Sequence, residues 1–88
     1  MRVAFTPKGW DDFCLWIETD REKLNRIVRL IKESGRQPFT GLGEPEPLRH
    51  ELAGWWSRRI DNEHRLVYRV TTRDGEQVLE IAQCRYHY

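Results

Sequence analysis

The sequence predicts an α+β domain: a short N-terminal strand, then two helices packed on one face of a mostly antiparallel sheet of four to five strands. Three observations point to it. Apolar residues recur at helical spacing in two successive stretches before residue 35. Four runs of strand character follow residue 47, punctuated by the turn dipeptides Ala53-Gly54, Asp61-Asn62 and Asp74-Gly75. Connections that short make the strands antiparallel neighbours, so the helices cover one face and leave the other free.

Each element has its own signals. Residues 2–5 read as the first strand. Thr6-Pro7 opens a helix, a hydroxyl cap followed by a proline whose missing N–H costs nothing at the first helical position. Trp10, Phe13, Cys14 and Ile17 fall at i, i+3, i+4 and i+7 and form its expected apolar face. Thr19 and Glu22 have the spacing of a capping box that restarts the chain as a second helix. Leu24, Ile27, Val28 and Ile31 are its expected core face, Arg26, Arg29, Lys32 and Arg36 a cationic stripe, and Ser34-Gly35 its stop. Residues 37–47 carry three prolines and two glycines, which stiffen a loop as much as they bend it.

The strand runs are expected at about 48–52, 55–60, 65–72 and 77–86. In the third, Leu66, Tyr68 and Val70 face the helices and Arg65 and Arg69 the free side. In the second, parity sets Trp56, Arg58 and Ile60 against Trp55, Ser57 and Arg59. The last run has apolar residues in both registers, which leaves its orientation open and suits a bulge.

Length and charge bound the function. Eighty-eight residues make a single domain, 1–88, with one modest core. With 39 % hydrophobic and 33 % charged residues the chain is neither disordered nor membrane-spanning. No leader pattern opens it, and Cys14 and Cys84 are too few for a disulfide scaffold or zinc site, so a reduced cytoplasmic protein is expected. A net charge of +1 argues against a nucleic-acid partner. The distribution weakens that argument: Lys8, Lys23 and Lys32 are the only lysines, and every cation from Arg36 onward is an arginine. Arginine's planar fork of donors matches phosphate oxygens.

The sequence has no metal-ligand spacing and no glycine-rich phosphate loop, so neither metal nor cofactor is expected. It does have Glu46 in the stiff loop, Arg59 and Arg65 on central strands, and the terminal run Cys84-Arg85-Tyr86-His87-Tyr88. A carboxylate, guanidinium groups and an imidazole suffice for metal-free RNA cleavage: base toward the 2′-hydroxyl, charge stabilisation at phosphate, acid toward the 5′-oxygen. Each has an ordinary alternative. Glu46 suits a solvated loop, Arg58 and Arg59 suit surface pairs with Asp61 and Glu63, and the Trp55-Trp56 pair suits a core. The residues by themselves therefore reach an RNA- or phosphate-binding domain with an acid–base site.

Longer strings carry a resemblance. Trp10-Asp11-Asp12, Gly43-Glu44-Pro45-Glu46-Pro47-Leu48-Arg49-His50, Gly54-Trp55-Trp56-Ser57-Arg58-Arg59-Ile60, Glu63-His64-Arg65-Leu66-Val67-Tyr68 and the terminal pentapeptide together resemble YoeB-type toxins of the RelE/ParE superfamily. The resemblance runs from end to end and implies a RelE-like fold and the toxic half of a type II toxin–antitoxin pair. The implied activity is ribosome-dependent, metal-independent cleavage of mRNA at A-site codons. It implies Glu46 as general base, His87 as general acid and Arg65 as the phosphate-stabilising group, with Arg49, His50, Arg59 and Tyr88 lining the substrate site. Where the family commonly has lysine, this chain has Arg49. Implied partners are a YefM-type antitoxin, the ribosome with its RNA and mRNA, and operator DNA for the antitoxin-bound form; a homodimer stays open. The cationic stripe of the second helix would lie on ribosomal RNA, and the stretch around Thr71–Gln77 away from the chemistry. A non-enzymatic translation blocker or a ParE-like gyrase poison remains the alternative on the same fold.

Overall fold

The computed structural model describes residues 1–87. In chain order it contains β1 (Arg2–Phe5), α1 (Pro7–Thr19), α2 (Arg21–Arg36), β2 (Glu46–Pro47), a 3-10 turn (His50–Leu52), β3 (Trp56–Arg59), β4 (Arg65–Arg73) and β5 (Glu76–Gln83). The five strands form one sheet in the order β1-β5-β4-β3-β2. β1 is parallel to β5 and every other pairing is antiparallel. The expected α+β layer is therefore present, with the helical pair carrying the chain from one sheet edge to the other.

The start of α1 follows its sequence signals. Thr6 accepts from the Gly9 amide at 3.1 Å, Pro7 takes the first helical position, and the same threonine hydroxyl donates to the Ala82 carbonyl at 3.0 Å. The apolar face is rotated from expectation. Gly9, Asp12 and Trp16 are buried, whereas Trp10 and Ile17 remain half exposed. Gly9 explains the rotation, since a β-carbon there would lie 2.5 Å from the Ile81 carbonyl oxygen. A bare glycine lets this side of the helix press onto β5, and hydrophobic periodicity does not register it.

The break between the helices is set one residue later than the capping-box reading. Asp20, not Thr19, caps α2 through the Lys23 amide at 3.1 Å, while the Thr19 hydroxyl donates back to the Leu15 carbonyl. α2 buries Ile27 and Leu30 completely, so Leu30 replaces Val28 at the centre of the expected face, with Leu24 and Ile31 packed against the core. Ser34 does not stop the helix. It is buried, donates to the Leu30 carbonyl, and the helix runs to Arg36.

The run expected as a strand at 48–52 is not one. The edge strand is the dipeptide Glu46–Pro47, paired with Ser57 and Trp56. Leu48 adds a hydrogen bond to the Trp55 carbonyl, and His50, at φ 57°, turns the chain out of the sheet. Proline cannot donate to a ladder, so an edge is where Pro47 is tolerated.

β4 matches its parity reading: Leu66 and Tyr68 are fully buried under the helices and Val70 packs against them. β5 is oriented with Leu79 and Ile81 in the same core. Tyr68 pairs with Ile81 but Val67 with Gln83, so Ala82 is the extra residue of a bulge. At the hairpin tip Asp74 and Gly75 both take positive φ, as a two-residue turn requires. Thr71–Gln77 is laddered up to Arg73 opposite Glu76, at the end of the hairpin away from the β3–β4 turn.

Candidate active site

Cross-strand partners share a face of the sheet, so the ladder orders the face the helices leave open. One row runs Glu46, Ser57, Val67, Gln83 from the β2 edge to β5. Arg59 and Arg65 form the adjacent row, one two-residue step of roughly 7 Å along the strands. Three of the expected site residues thus occupy neighbouring rows of a single face.

Their side chains settle in two places. Glu46 lines an open groove of about 510 Å³ with Pro47, Leu48, Arg49, His50 and Leu52. Arg59 donates to the Asn62 side chain at 2.8 Å and sits 3.7 Å from the Glu44 carboxylate, beside a separate depression shared with Arg26 and Asp61. Arg65 donates to the carbonyls of Asp61 at 2.7 Å and His64 at 3.0 Å. Both arginines are drawn to the β3–β4 turn, and neither residue is fully buried.

The β3–β4 turn is itself electrostatically fixed. Asp61 accepts from the amides of Glu63 and His64 and pairs with Lys23 of α2 at 3.0 Å. Burial alone would raise the Asp61 carboxyl, but those two amides and the ammonium together hold it below the usual carboxylate range.

Past Gln83 the chain leaves the ladder and docks against the start of β4. The Cys84 amide donates to Asp12 at 3.1 Å and its carbonyl accepts from the Trp16 indole at 2.8 Å. Burial, reinforced by the Asp12 carboxylate, pushes the Cys84 thiol up to about 12. The Tyr86 carbonyl accepts from the Arg65 amide, and the Tyr86 amide donates to His64 Nδ1 at 2.8 Å. Tyr86 is held at φ 61°, a left-handed conformation that costs a bulky residue about 1–2 kcal/mol. The Gln83 side chain donates to the carbonyls of Arg85 and His87. His87 is thereby carried beside Arg65 with its ring exposed, while Tyr88 lies outside the described residues.

The loop that delivers Glu46 depends on Arg58, which is not a surface pair with Asp61 or Glu63 as the sequence suggested. It is fully buried and donates to Tyr68 Oη at 3.1 Å and to the carbonyls of Leu42, Thr40 and Gln37 at 2.6, 2.9 and 2.5 Å. The Tyr68 hydroxyl donates in turn to the Pro38 carbonyl, so one buried pair pins the loop at four places. The parity of Trp56, Arg58 and Ile60 was the available signal: an arginine between two core positions must find acceptors inside. Gln83 and His64, which hold the tail, carried no comparable signal.

Among the described residues, no three His, Cys, Asp or Glu side chains are grouped to hold a metal, and no helix is long and apolar enough to cross a membrane. What the arrangement offers is a carboxylate, two arginines that are not fully buried and an imidazole on a docked tail.

Residues 5–88 match the family described as the YoeB-like toxin of bacterial type II toxin-antitoxin systems. The chain belongs to that family. Toxin YoeB of Streptomyces coelicolor is 52 % identical over 88 residues, covering the whole of both chains. A YoeB/ParE toxin structure from Agrobacterium tumefaciens superposes with a TM-score of 0.94 at 49 % identity, again over all of both chains. The toxin in a heterotetrameric YoeB-YefM toxin-antitoxin complex from Staphylococcus aureus gives a TM-score of 0.86 at 37 % identity, over 100 % of this chain and 98 % of that one.

Proposed function

We propose that this chain is a ribosome-dependent mRNA endoribonuclease that cuts A-site codons without a metal ion. The observation that supports this reading is the placement of Glu46, Arg59 and Arg65 on adjacent rows of the sheet face turned away from the helices, with the tail bearing His87 docked at Arg65. Glu46 takes the proton of the ribose 2′-hydroxyl, and the resulting oxyanion attacks the neighbouring phosphorus. Arg65, with Arg59 swung from Asn62, neutralises the charge that builds on the non-bridging oxygens. His87 protonates the departing 5′-oxygen, leaving a 2′,3′-cyclic phosphate and a new 5′-hydroxyl. Arg49, His50 and Tyr88 bind the codon.

The groove beside Glu46 is open, and the ribosome supplies the positioning of the RNA strand. In the cytoplasm the toxin is restrained by a YefM-type antitoxin, the kind of partner seen with its relative from Staphylococcus aureus, and the pair sits on operator DNA.

Induction of the free toxin should produce cuts inside translated codons, mapped by primer extension, with 5′-hydroxyl ends. His87→Gln should lower the single-turnover rate by about 10²–10⁴-fold, the usual contribution of a general acid. Growth arrest by His87→Gln at wild-type strength, without mRNA cuts, would overturn the enzymatic reading in favour of a non-enzymatic block.

A further inference from the structure

We propose that His64 is the positioning residue for the tail that carries His87, acting as a neutral hydrogen-bond acceptor. The inference rests on the assignment of His87 as the general acid, which His64 serves without touching substrate.

His64 is nearly buried, with its ring edge-on to Trp16 at 4.9 Å and tilted against Tyr86 at 5.5 Å. Its backbone is locked as well: the amide donates to Asp61 and the carbonyl accepts from Ile60. A histidine packed this way has one ring orientation. Nδ1 then points at the Tyr86 amide, 2.8 Å away, and because that amide can only donate, the ring's single proton is on Nε2. Nε2 faces the Glu63 carboxylate at 3.6 Å, which favours the same tautomer.

The Tyr86 peptide is consequently gripped on both sides, its N–H by His64 and its C=O by the Arg65 amide. Two consecutive residues of β4 and its approach thus fix the residue immediately before His87. The grip is needed, since Tyr86 is in a left-handed conformation that a tyrosine does not adopt unaided. Gln83 adds longer bonds of 3.3 and 3.4 Å to the flanking carbonyls, which cannot replace the imidazole. Remove the Nδ1 acceptor and Tyr86 relaxes toward extended backbone, swinging His87 away from Arg65.

The test separates hydrogen-bond acceptance from filling space. His64→Asn places an amide oxygen near the Nδ1 position; His64→Leu fills a similar volume with no acceptor. The Tyr86 amide should be protected from hydrogen exchange in wild type and in His64→Asn but not in His64→Leu. Single-turnover mRNA cleavage by His64→Leu should fall on the order of 10²-fold, the scale of an ångström-level misplacement, with ribosome binding unchanged, while His64→Asn recovers most of the rate. Cleavage at the wild-type rate by His64→Leu, or equal loss in two folded variants, would overturn the proposal. If His64→Leu does not fold, a wild-type Tyr86 amide exchanging as fast as that of His87 would do the same. Failure of the general-acid assignment is distinguishable, because His87→Gln would then cut mRNA normally while Tyr86 protection still depended on His64.

Discussion

Replacing Arg58 with methionine should loosen the loop that presents Glu46. The side chain makes four hydrogen bonds, three to carbonyls of the loop and one to Tyr68, and is wholly buried. Methionine keeps the apolar stem and removes the guanidinium. Each buried carbonyl left without its donor costs about 1–3 kcal/mol. The lower end applies, because Gln37 and Thr40 are exposed enough for water to reach their carbonyls and Tyr68 still holds Pro38. A loss of about 3 kcal/mol falls within the roughly 4–13 kcal/mol expected of a domain this size, so a folded population survives. Urea unfolding of antitoxin-free protein, followed by tryptophan fluorescence, should show the midpoint fall by about 1–3 M. Trp56 packs tilted against Phe39 of the loop, ring centroids 4.7 Å apart, and makes the signal local as well as global. Arg58→Lys should fall between, since an ammonium reaches fewer carbonyls at once. A methionine variant within about 0.5 kcal/mol of wild type, the range of neutral surface changes, would refute the argument that Arg58 organises this loop.

Two further perturbations test the packing under the tail. Gly9→Ala should destabilise by about 1–3 kcal/mol through the clash with the Ile81 carbonyl, even though alanine is the better helix former by about 1 kcal/mol; a rise in thermal midpoint would show that propensity outweighs contact here. Cys84 should resist alkylation at pH 8 in the folded protein, its thiol being buried and held near 12, and react only on unfolding. The unfolded thiol ionises near 9, so this group's stabilising contribution is complete below pH 9 and is lost as pH rises toward 12. Labelling of Cys84 at the rate of an exposed thiol in native protein would contradict the packing described.

Period and punctuation made most of the fold legible. The Thr6-Pro7 start, the Asp74-Gly75 turn and the alternation in β4 are local rules, and local rules survive folding. The misreadings have two causes: a contact from elsewhere in the chain, or a local bond or backbone conformation that the pattern does not weigh. α1 rotates because Gly9 meets β5. Asp20 outcompetes Thr19 as a cap because the Thr19 hydroxyl turns back to Leu15. The 48–52 run fails as a strand because His50 turns left-handed. For the site, Arg65 could be placed by parity, Arg59 by its strand and Glu46 only by type in a stiff loop, and longer sequence strings tied them to a family. Of the residues that hold them in place, Arg58 was signalled by strand parity, whereas His64 acts through the backbone of Tyr86, 22 residues on, and Gln83 through the carbonyls of its near neighbours Arg85 and His87, and no sequence pattern announces those bonds.

The sheet order places β5 between β1 and β4, so the last strand of this sheet to be made is neighbour to its first. A nascent chain that has emerged as far as α2 has β1 without a partner, and one that has emerged as far as β4 still has an open seam at the middle of the sheet. The β1–β5 pairing joins Arg2 to Val78, a separation across nearly the whole chain, and such late long-range closure makes folding slow for a small domain. The Arg65–Tyr86 and His64–Tyr86 bonds form only after that closure. Every partly made copy therefore lacks the seated tail, and the groups of the site are assembled only after the last strand has closed the sheet.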